Sequence, residues 1–285
     1  MNRLLVGGAV RDRLLGLSPK DHDWLVLGVS PEGLTRLGFR PVGRAFTIFL
    51  APDSHDEHAL PRSVPGGTSG DDEADLLVDL ERRDLTINAM AMRANGELVD
   101  PFGGQNDIAN RTIRHVHDDF FAQDPIRILR AARFAARLGF DVAPSTAALM
   151  RRLCGNGALA ECAPERIYAE ISTGLRTLRP RRFIEAMRSS GALAIIAPEI
   201  EALFGVPQPA VHHPEVDTGE HVLLCLESAH RLGANEAVRF GVLVHDVGKG
   251  LTPKAEWPRH VGHEQSGLPL VNNIAQRWRV PTEHL

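Results

Sequence analysis

The hydrophobic pattern of this 285-residue chain changes at Pro125, and that change constrains the fold more than any other feature. Before it, short apolar runs at residues 2–6, 24–27 and 48–50 have the length of strands and are separated by glycine-containing turns. After it, apolar residues recur at three- and four-residue spacing, which is typical of amphipathic helices. Strands followed by an all-helical remainder predict an α+β protein, with a mixed sheet and helices at the N-terminus and a helical body behind it.

Local signals predict the other elements. A helix is expected over residues 11–15, and a hairpin joins residues 89–93 to 97–100, because Asn95-Gly96 suits a type I′ turn. Residues 52–75 are rich in Pro, Gly, Ser and Asp without periodicity, so we expect a mobile loop there. Behind Pro125, helices are predicted over residues 144–153, 164–175, 181–188, 218–232, 237–244 and 265–278, with a proline-rich linker at 206–214.

Composition and charge exclude several classes of protein. With 43% hydrophobic and 24% charged residues, the chain has ordinary globular composition, and no apolar run is long enough to span a membrane. The three cysteines are too few and scattered for a disulfide framework, so we expect free thiols in the cytoplasm. Residues 51–81 carry nine acids and one base, whereas residues 111–190 carry fourteen arginines and eight acids. A basic segment beside an acidic one suits an enzyme that binds a polyanion.

Asp21-His22-Asp23 is the central motif. Two carboxylates separated by one residue point to the same side of a strand, where they can bind one or two Mg²⁺ ions. Upstream, Gly7-Gly8 between a strand and a helix allows the backbone to approach a phosphate, and Arg11 adds a charged fork. Alone, each piece would more often be an ordinary turn; together they predict a metal–triphosphate site.

Five segments in order along nearly the whole chain resemble the motifs of class II tRNA nucleotidyltransferases. The resemblance is greatest to the bacterial CCA-adding enzymes that carry a C-terminal HD domain. It implies a polymerase-β-like nucleotidyltransferase head at residues 1–138, an all-helical neck and body at residues 139–206, and a partial HD domain at residues 215–285. The similar segments are residues 5–23, 82–89, 100–104, 124–134 and 165–170.

The resemblance implies that the protein adds C, C and A to the 3′ end of tRNA from CTP and ATP, without a nucleic-acid template. The reaction would be a two-metal nucleotidyl transfer that releases pyrophosphate, with Mg²⁺ bound by the catalytic Asp21 and Asp23. Asp84 and Asn88 offer polar groups near a ribose 2′-hydroxyl, and Asp124 and Arg127 match positions that read the incoming base. Further nucleotide contacts are implied for Gly8, Arg11, Arg83, Arg130 and Arg133.

Two features depart from the family pattern. Gln123 stands where the family has a glutamate, so its amide can still hydrogen-bond Arg127, but the hydrogen bond loses the charge assistance of a carboxylate. Residues 61–79 form a shorter, acidic version of a basic family loop that assists the switch from C to A addition. A CC-adding enzyme or a poly(A) polymerase-like relative is therefore an alternative.

The C-terminal part resembles the start of an HD phosphohydrolase domain. His221, His245 and Asp246 are its possible ligands for a second divalent metal. Family members supply a later aspartate, so we expect this site to be incomplete. An alternative of another class is an HD-type metal-dependent phosphohydrolase with a regulatory nucleotide-binding head. A further alternative is a non-catalytic RNA-binding protein, but such a protein has no use for paired metal-binding carboxylates.

Overall fold

The computed structural model describes residues 1–19, 21–43, 47–52, 56–62 and 68–284. The chain divides into two compact units, Met1–Asp124 and Pro125–Leu285. Strands are concentrated in the first unit and helices in the second, so the predicted α+β class with a mixed-sheet head is confirmed. Within the described ranges, no helix has the length and apolarity needed to cross a bilayer.

The first unit is built on one seven-stranded sheet. Its strands are β1 (Asn2–Val6), β2 (Asp23–Leu27), β3 (Arg40–Val42), β4 (Ile48–Leu50), β5 (Glu57–Ala59), β6 (Ala91–Met92) and β7 (Leu98–Val99), followed by the short β8 (Thr112–Ile113) outside that sheet. The order across the sheet is β3-β4-β5-β2-β1-β6-β7; β2 and β5 run parallel, and the other neighbours are antiparallel. Its helices are α1 (Gly8–Leu14), α2 (Pro31–Arg36), α3 (Asp72–Glu81), α4 (Gly104–Ala109) and α5 (Asp118–Ala122).

Alternation along β1 and β2 buries both faces of the sheet. One face packs Leu4 and Leu25 against Leu76 and Leu80 of α3. The other face packs Leu5 against α1. Both central strands are therefore fixed in position between two helices.

The structure corrects the expectation for residues 52–75. Part of this segment is β5, which gains its hydrogen bonds from β2 and β4. Another part opens α3, where the Asp71 side chain caps the helix by accepting hydrogen bonds from the amides of Glu73 and Ala74. Acids in the first turn stabilise a helix start, so the acidic composition marks a helix rather than a loop. Residues 53–55 and 63–67 of the expected loop lie outside the described residues.

The predicted hairpin at residues 89–100 forms, but the prediction of a type I′ turn is wrong. A type I′ turn needs positive φ at both central residues. Only Gly96 has it, with φ of 86°, while Asn95 does not. The Gly96 amide donates to Arg93, and the Arg93 amide donates to Glu97, which is the pattern of a type I turn followed by a left-handed glycine.

Over its described residues, 125–284, the second unit contains helices and one two-residue strand, and the helix predictions hold to within a few residues. The proline-rich segment is tied to the helix Thr218–Arg231, because the Thr218 amide donates to the carbonyl oxygen of Val206. The segment is also closed on itself, because the Gln208 amide donates to the carbonyl oxygen of Val216. The domain bounds 139–206 and 215–285, and the HD-type assignment, stay predictions. The elements are α6 (Arg127–Leu138), β9 (Asp141–Val142), α7 (Pro144–Gly155), α8 (Pro164–Leu175), α9 (Pro180–Ser189), α10 (Ala192–Ile196), α11 (Pro198–Glu201), α12 (Thr218–Arg231), α13 (Glu236–Val244) and α14 (His263–Trp278).

Candidate functional site

Three carboxylates gather where β2 begins. Asp23 is the first residue of β2 and pairs with Glu57 of β5, and Asp21 lies two residues upstream. Desolvation raises the pKa of Asp23; the positive charge of Arg83 opposes this shift, and the negative charge of Asp21 adds to it. The pKa of Glu57 is raised by desolvation and then by Asp23 and Asp21. Burial and, to a smaller extent, the mutual repulsion of the carboxylates disfavour their charged forms, and a bound cation would offset both effects.

Gly7 forms the turn between β1 and α1, with φ of 69° and ψ of −130°. A Cβ atom there would lie 2.8 Å from Nη1 of Arg83 and 3.9 Å from Oδ2 of Asp23. The glycine is therefore required both by its backbone conformation and by the close approach of an arginine. The turn, the Asp23 carboxylate and the Arg83 guanidinium meet at one point of the head. Gly8 follows as the first residue of α1.

Arg83 is held in this position by α3. Its Nε and Nη2 donate to Oδ2 of Asp79 over 3.1 and 2.9 Å, and its Nη1 donates to the carbonyl oxygen of Asn88 over 3.3 Å. The Asp79 side chain is only 1% exposed. Sequence reasoning missed Asp79, although its spacing of four residues from Arg83 on a helix was the available signal.

Arg11, Asn88 and Asp84 form a buried hydrogen-bond chain. Arg11 is 2% exposed; its Nη1 donates to Oδ1 of Asn88 over 2.6 Å, and its Nε donates to Asp12 over 2.8 Å. The Asn88 amide in turn donates to Oδ1 of Asp84 over 3.2 Å. The structure thus brings three predicted nucleotide-binding residues together and directs the Arg11 fork at protein oxygens.

In the second unit, Arg130 and Arg133 converge on one anion, as their three-residue spacing predicts. That anion is Glu170 of α8: Nε of Arg133 donates to it over 2.5 Å, and Nη1 of Arg130 lies 3.8 Å from it. Arg127 opens α6 and is half-buried, while Asp124, also half-buried, ends the first unit.

A second polar cluster surrounds Asp246, whose side chain is 4% exposed. Its carboxylate lies 3.2 Å from Nε2 of His245, 3.9 Å from Nε2 of His221 and 3.3 Å from Nε2 of His263. Lys249 donates to it over 2.7 Å. The structure therefore brings the three predicted residues together and adds His263 and Lys249.

Further donors extend this cluster beyond the predicted set. His221 lies 2.6 Å from Glu215, and Cys225 lies 3.4 Å from Nε2 of His221. The groups His221–Cys225–His245 and His213–Glu215–His221 each hold three ligand atoms within 4.8 Å of one another. Glu215 and Cys225 lie within six positions of His221, so sequence spacing was an available signal for them, whereas His245 joins this group through the fold.

Electrostatics keep Asp246 charged. Burial would raise its pKa, but hydrogen bonds from His245 and Lys249 outweigh burial and lower it. Burial works against the charged form of His245, yet the hydrogen bond with Asp246 raises its pKa. Burial followed by the charge of Asp246 raises the pKa of the Cys225 thiol.

Similarity to known proteins is consistent along the whole chain. The family described as "Poly A polymerase head domain" matches residues 3–114, and "Probable RNA and SrmB- binding site of polymerase A" matches residues 139–204. The Multifunctional CCA protein of Methylococcus capsulatus is 51% identical over 99% of this chain and 68% of its own length.

Solved structures agree with this similarity. A tRNA nucleotidyltransferase complexed with a primer tRNA and an incoming ATP analog is 27% identical, with a TM-score of 0.64 over 99% of this chain and 77% of that one. A tRNA-processing enzyme with CTP is 27% identical, with a TM-score of 0.57 over 100% of this chain and 89% of that one. The resemblance predicted from the motifs is confirmed, and the chain belongs to the family of multifunctional CCA proteins.

Proposed function

We propose that this protein adds C, C and A to the 3′ end of tRNA from CTP and ATP without a nucleic-acid template, releasing pyrophosphate. The observation that carries the proposal is the convergence of Gly7, Arg83 and Asp23 in the head. A backbone turn, a fixed cation and a metal-binding carboxylate at one point are what a triphosphate needs. Relatives named Multifunctional CCA protein, together with neighbours that hold primer tRNA, an ATP analog or CTP, support the substrates.

Enzymes of this family use a divalent metal, and we propose Mg²⁺ bound by Asp21 and Asp23. The donor set fits, because carboxylate oxygens are the hard ligands Mg²⁺ prefers, and a cation would stabilise the charged form of Asp23, whose pKa is raised by burial and then by Asp21. When bound, the metal neutralises phosphate charge and lowers the pKa of the attacking 3′-hydroxyl.

The chain's own residues would bind and orient the nucleotide. Arg83, held rigid by Asp79, presents its guanidinium beside Asp23, where it can stabilise charge on a phosphate. We propose that the backbone at Gly8 lies close to a phosphate of the nucleotide. Arg11 is assigned to positioning Asn88, whose amide is near enough to Asp84 to fix it for a ribose hydroxyl.

The remaining nucleotide contacts are proposed for residues of the second, helical unit and for Asp124, the last residue of the first unit. Asp124 and Arg127 carry the donors and acceptors that can match a base edge. Arg130 and Arg133 are proposed to bind the polyphosphate, since their guanidinium groups already converge on the Glu170 carboxylate and can bind phosphate oxygens in the same bidentate way.

We further propose a second divalent metal at His221, His245 and Asp246. The histidine and thiol donors around them fit a borderline transition metal better than Mg²⁺. Titration calorimetry with Ni²⁺ or Zn²⁺ tests this: binding should be lost in His221→Ala, and retention would contradict it.

We also propose that the protein is located in the cytoplasm, because its proposed substrate, tRNA, is found there.

A substrate panel tests the function. Purified protein is incubated with Mg²⁺, labelled CTP or ATP, and tRNA transcripts that end before the terminal CCA, after its second cytidine, or after its adenosine. We expect two cytidines on the first transcript, one adenosine on the second and none on the third. Cytidine addition alone would support the CC-adding alternative, and no incorporation on any transcript would contradict the proposal.

A further inference from the structure

A cavity of about 280 Å³ lies in the head, lined by Arg3, Arg13, Trp24, Met92 and Arg93. We call it the arginine groove. Leu5 of β1 pairs with Trp24 on one side and Met92 on the other, so these three form the floor on the face that packs against α1. Successive residues of a strand point to opposite faces.

Trp24 therefore faces away from the side of the sheet to which Asp23 points. The groove is a separate feature from the carboxylates, and nothing in the proposed reaction uses it.

The groove carries three arginines, and the carboxylates that contact its lining are Glu73 and Glu97 at Arg93 and Asp56 at the Trp24 indole. Arg3 and Arg13 are exposed, and in the part of the chain that the structure describes neither forms an ion pair with a carboxylate. Nη1 of Arg13 instead contacts the neutral sulfur of Met92, at 3.8 Å. Arg93, by contrast, is tied to Glu73 by contacts of 2.7 and 2.8 Å. Two of the three guanidinium groups are thus available to an anion.

The groove also offers a stacking surface. The guanidinium carbon of Arg3 lies 4.6 Å from the centroid of the Trp24 ring. The indole N–H donates to Asp56 over 3.3 Å, which fixes the ring. An arginine plane stacked on tryptophan leaves its outer face for a nucleobase, and unpaired guanidinium forks beside it suit phosphate oxygens.

We infer that the arginine groove binds one phosphate–base unit of an RNA strand, as a second contact of the head with its RNA substrate. Volume, charge and stacking surface together fit a nucleotide within a chain. The choice of RNA as occupant rests on the proposed function; the charge and stacking argument does not. The contact would contribute affinity through phosphate neutralisation and base stacking, and it would take no part in the transfer step.

Binding of tRNA lacking its terminal CCA, measured by fluorescence anisotropy at several salt concentrations, tests the inference. The test variant carries Arg3→Ala with Arg13→Ala. Its matched control carries Arg36→Ala with Arg40→Ala, two exposed arginines of the same unit outside the groove, so both variants change the net charge equally. A third variant, Arg3→Lys with Arg13→Lys, keeps the charge. Circular dichroism checks that all three fold.

We expect Kd to rise about tenfold in the alanine test variant, with a fall of about 1 to 2 in the slope of log K against log salt. The control variant should stay within about twofold of the parent, and the lysine variant should recover most of the salt slope but not all of the affinity. When CTP incorporation is measured over a range of tRNA concentrations, kcat should be unchanged in the alanine test variant, while KM for tRNA should rise.

Equal loss of affinity in test and control variants would overturn the inference, because only bulk charge would then matter. A raised KM for CTP with unchanged tRNA affinity would overturn it too, since the groove would then hold free nucleotide. The binding assay needs no catalysis. If the parent bound tRNA through the groove but incorporated nothing, the proposed function would fail and the inference would stand.

Discussion

Gly7→Ala perturbs the point where the proposed site is assembled. At φ of 69° and ψ of −130°, a residue with a Cβ is strained, at a cost of about 1–3 kcal/mol. The new methyl would also lie 2.8 Å from Nη1 of Arg83 and push it from its place. Since removing one partner of a buried ion pair costs about 3–5 kcal/mol, partial displacement of Arg83 from Asp79 should add about 1–2 kcal/mol.

Gly16→Ala is the matched control. Gly16 also has positive φ, 70°, but a Cβ there meets no atom within 4 Å, so only backbone strain of about 1–2 kcal/mol applies. Urea unfolding followed by circular dichroism should show Gly7→Ala as the less stable variant by about 1–2 kcal/mol. Under conditions where both are folded, CTP incorporation should fall at least about tenfold further in Gly7→Ala, equivalent to about 1.4 kcal/mol of lost transition-state contact. Equal stability and equal incorporation in the two variants would refute the reasoning.

Three further predictions concern other parts of the chain. His58 is 1% exposed, and burial lowers its pKa, so unfolding should become more favourable as pH falls below about 6.5, the pKa of an unfolded histidine; His58→Phe should lose less Tm than the parent between about pH 7.5 and 5.5, and an equal loss would contradict this. Gln123→Glu should sharpen selection of CTP and ATP over UTP and GTP, within the about 1–3 kcal/mol of one bidentate contact; if neither it nor Arg127→Ala alters single-nucleotide incorporation ratios, base selection lies elsewhere. His245→Ala should leave CTP incorporation within about twofold, because the proposed transfer site is in the head; a large loss in a folded variant would show that the site is misplaced.

Local sequence signals predicted what depends on local chemistry. The helix Pro164–Leu175 has the predicted bounds, since a first-turn proline and a regular apolar spacing define it. The Gly7 turn was found because glycine tolerates its backbone conformation. The helix Asp72–Glu81 was missed because its acidic first turn resembles a solvated loop, although Leu76 and Leu80 are spaced to reach the core.

What the sequence could not predict depends on residues distant along the chain. Glu57–Ala59 is a strand because β2 and β4 supply its partners, not through its own propensity. The hydrogen bond from the Arg11 guanidinium to Asn88, seventy-seven positions away, also depends on tertiary packing, and the nucleotide contact of Arg11 stays a prediction. His263 of α14 reaches the Asp246 carboxylate, seventeen positions away, through the packing of the second unit.

The most direct test of the central claim is CTP incorporation into tRNA by Asp21→Ala and Asp23→Ala. Loss of a carboxylate essential for metal binding should cut incorporation by about three orders of magnitude or more in each variant, while circular dichroism and tRNA affinity stay near those of the parent. Asp119→Ala, which removes an exposed carboxylate of the same unit, is the control and should incorporate normally. Near-normal incorporation by folded Asp21→Ala or Asp23→Ala would contradict the account.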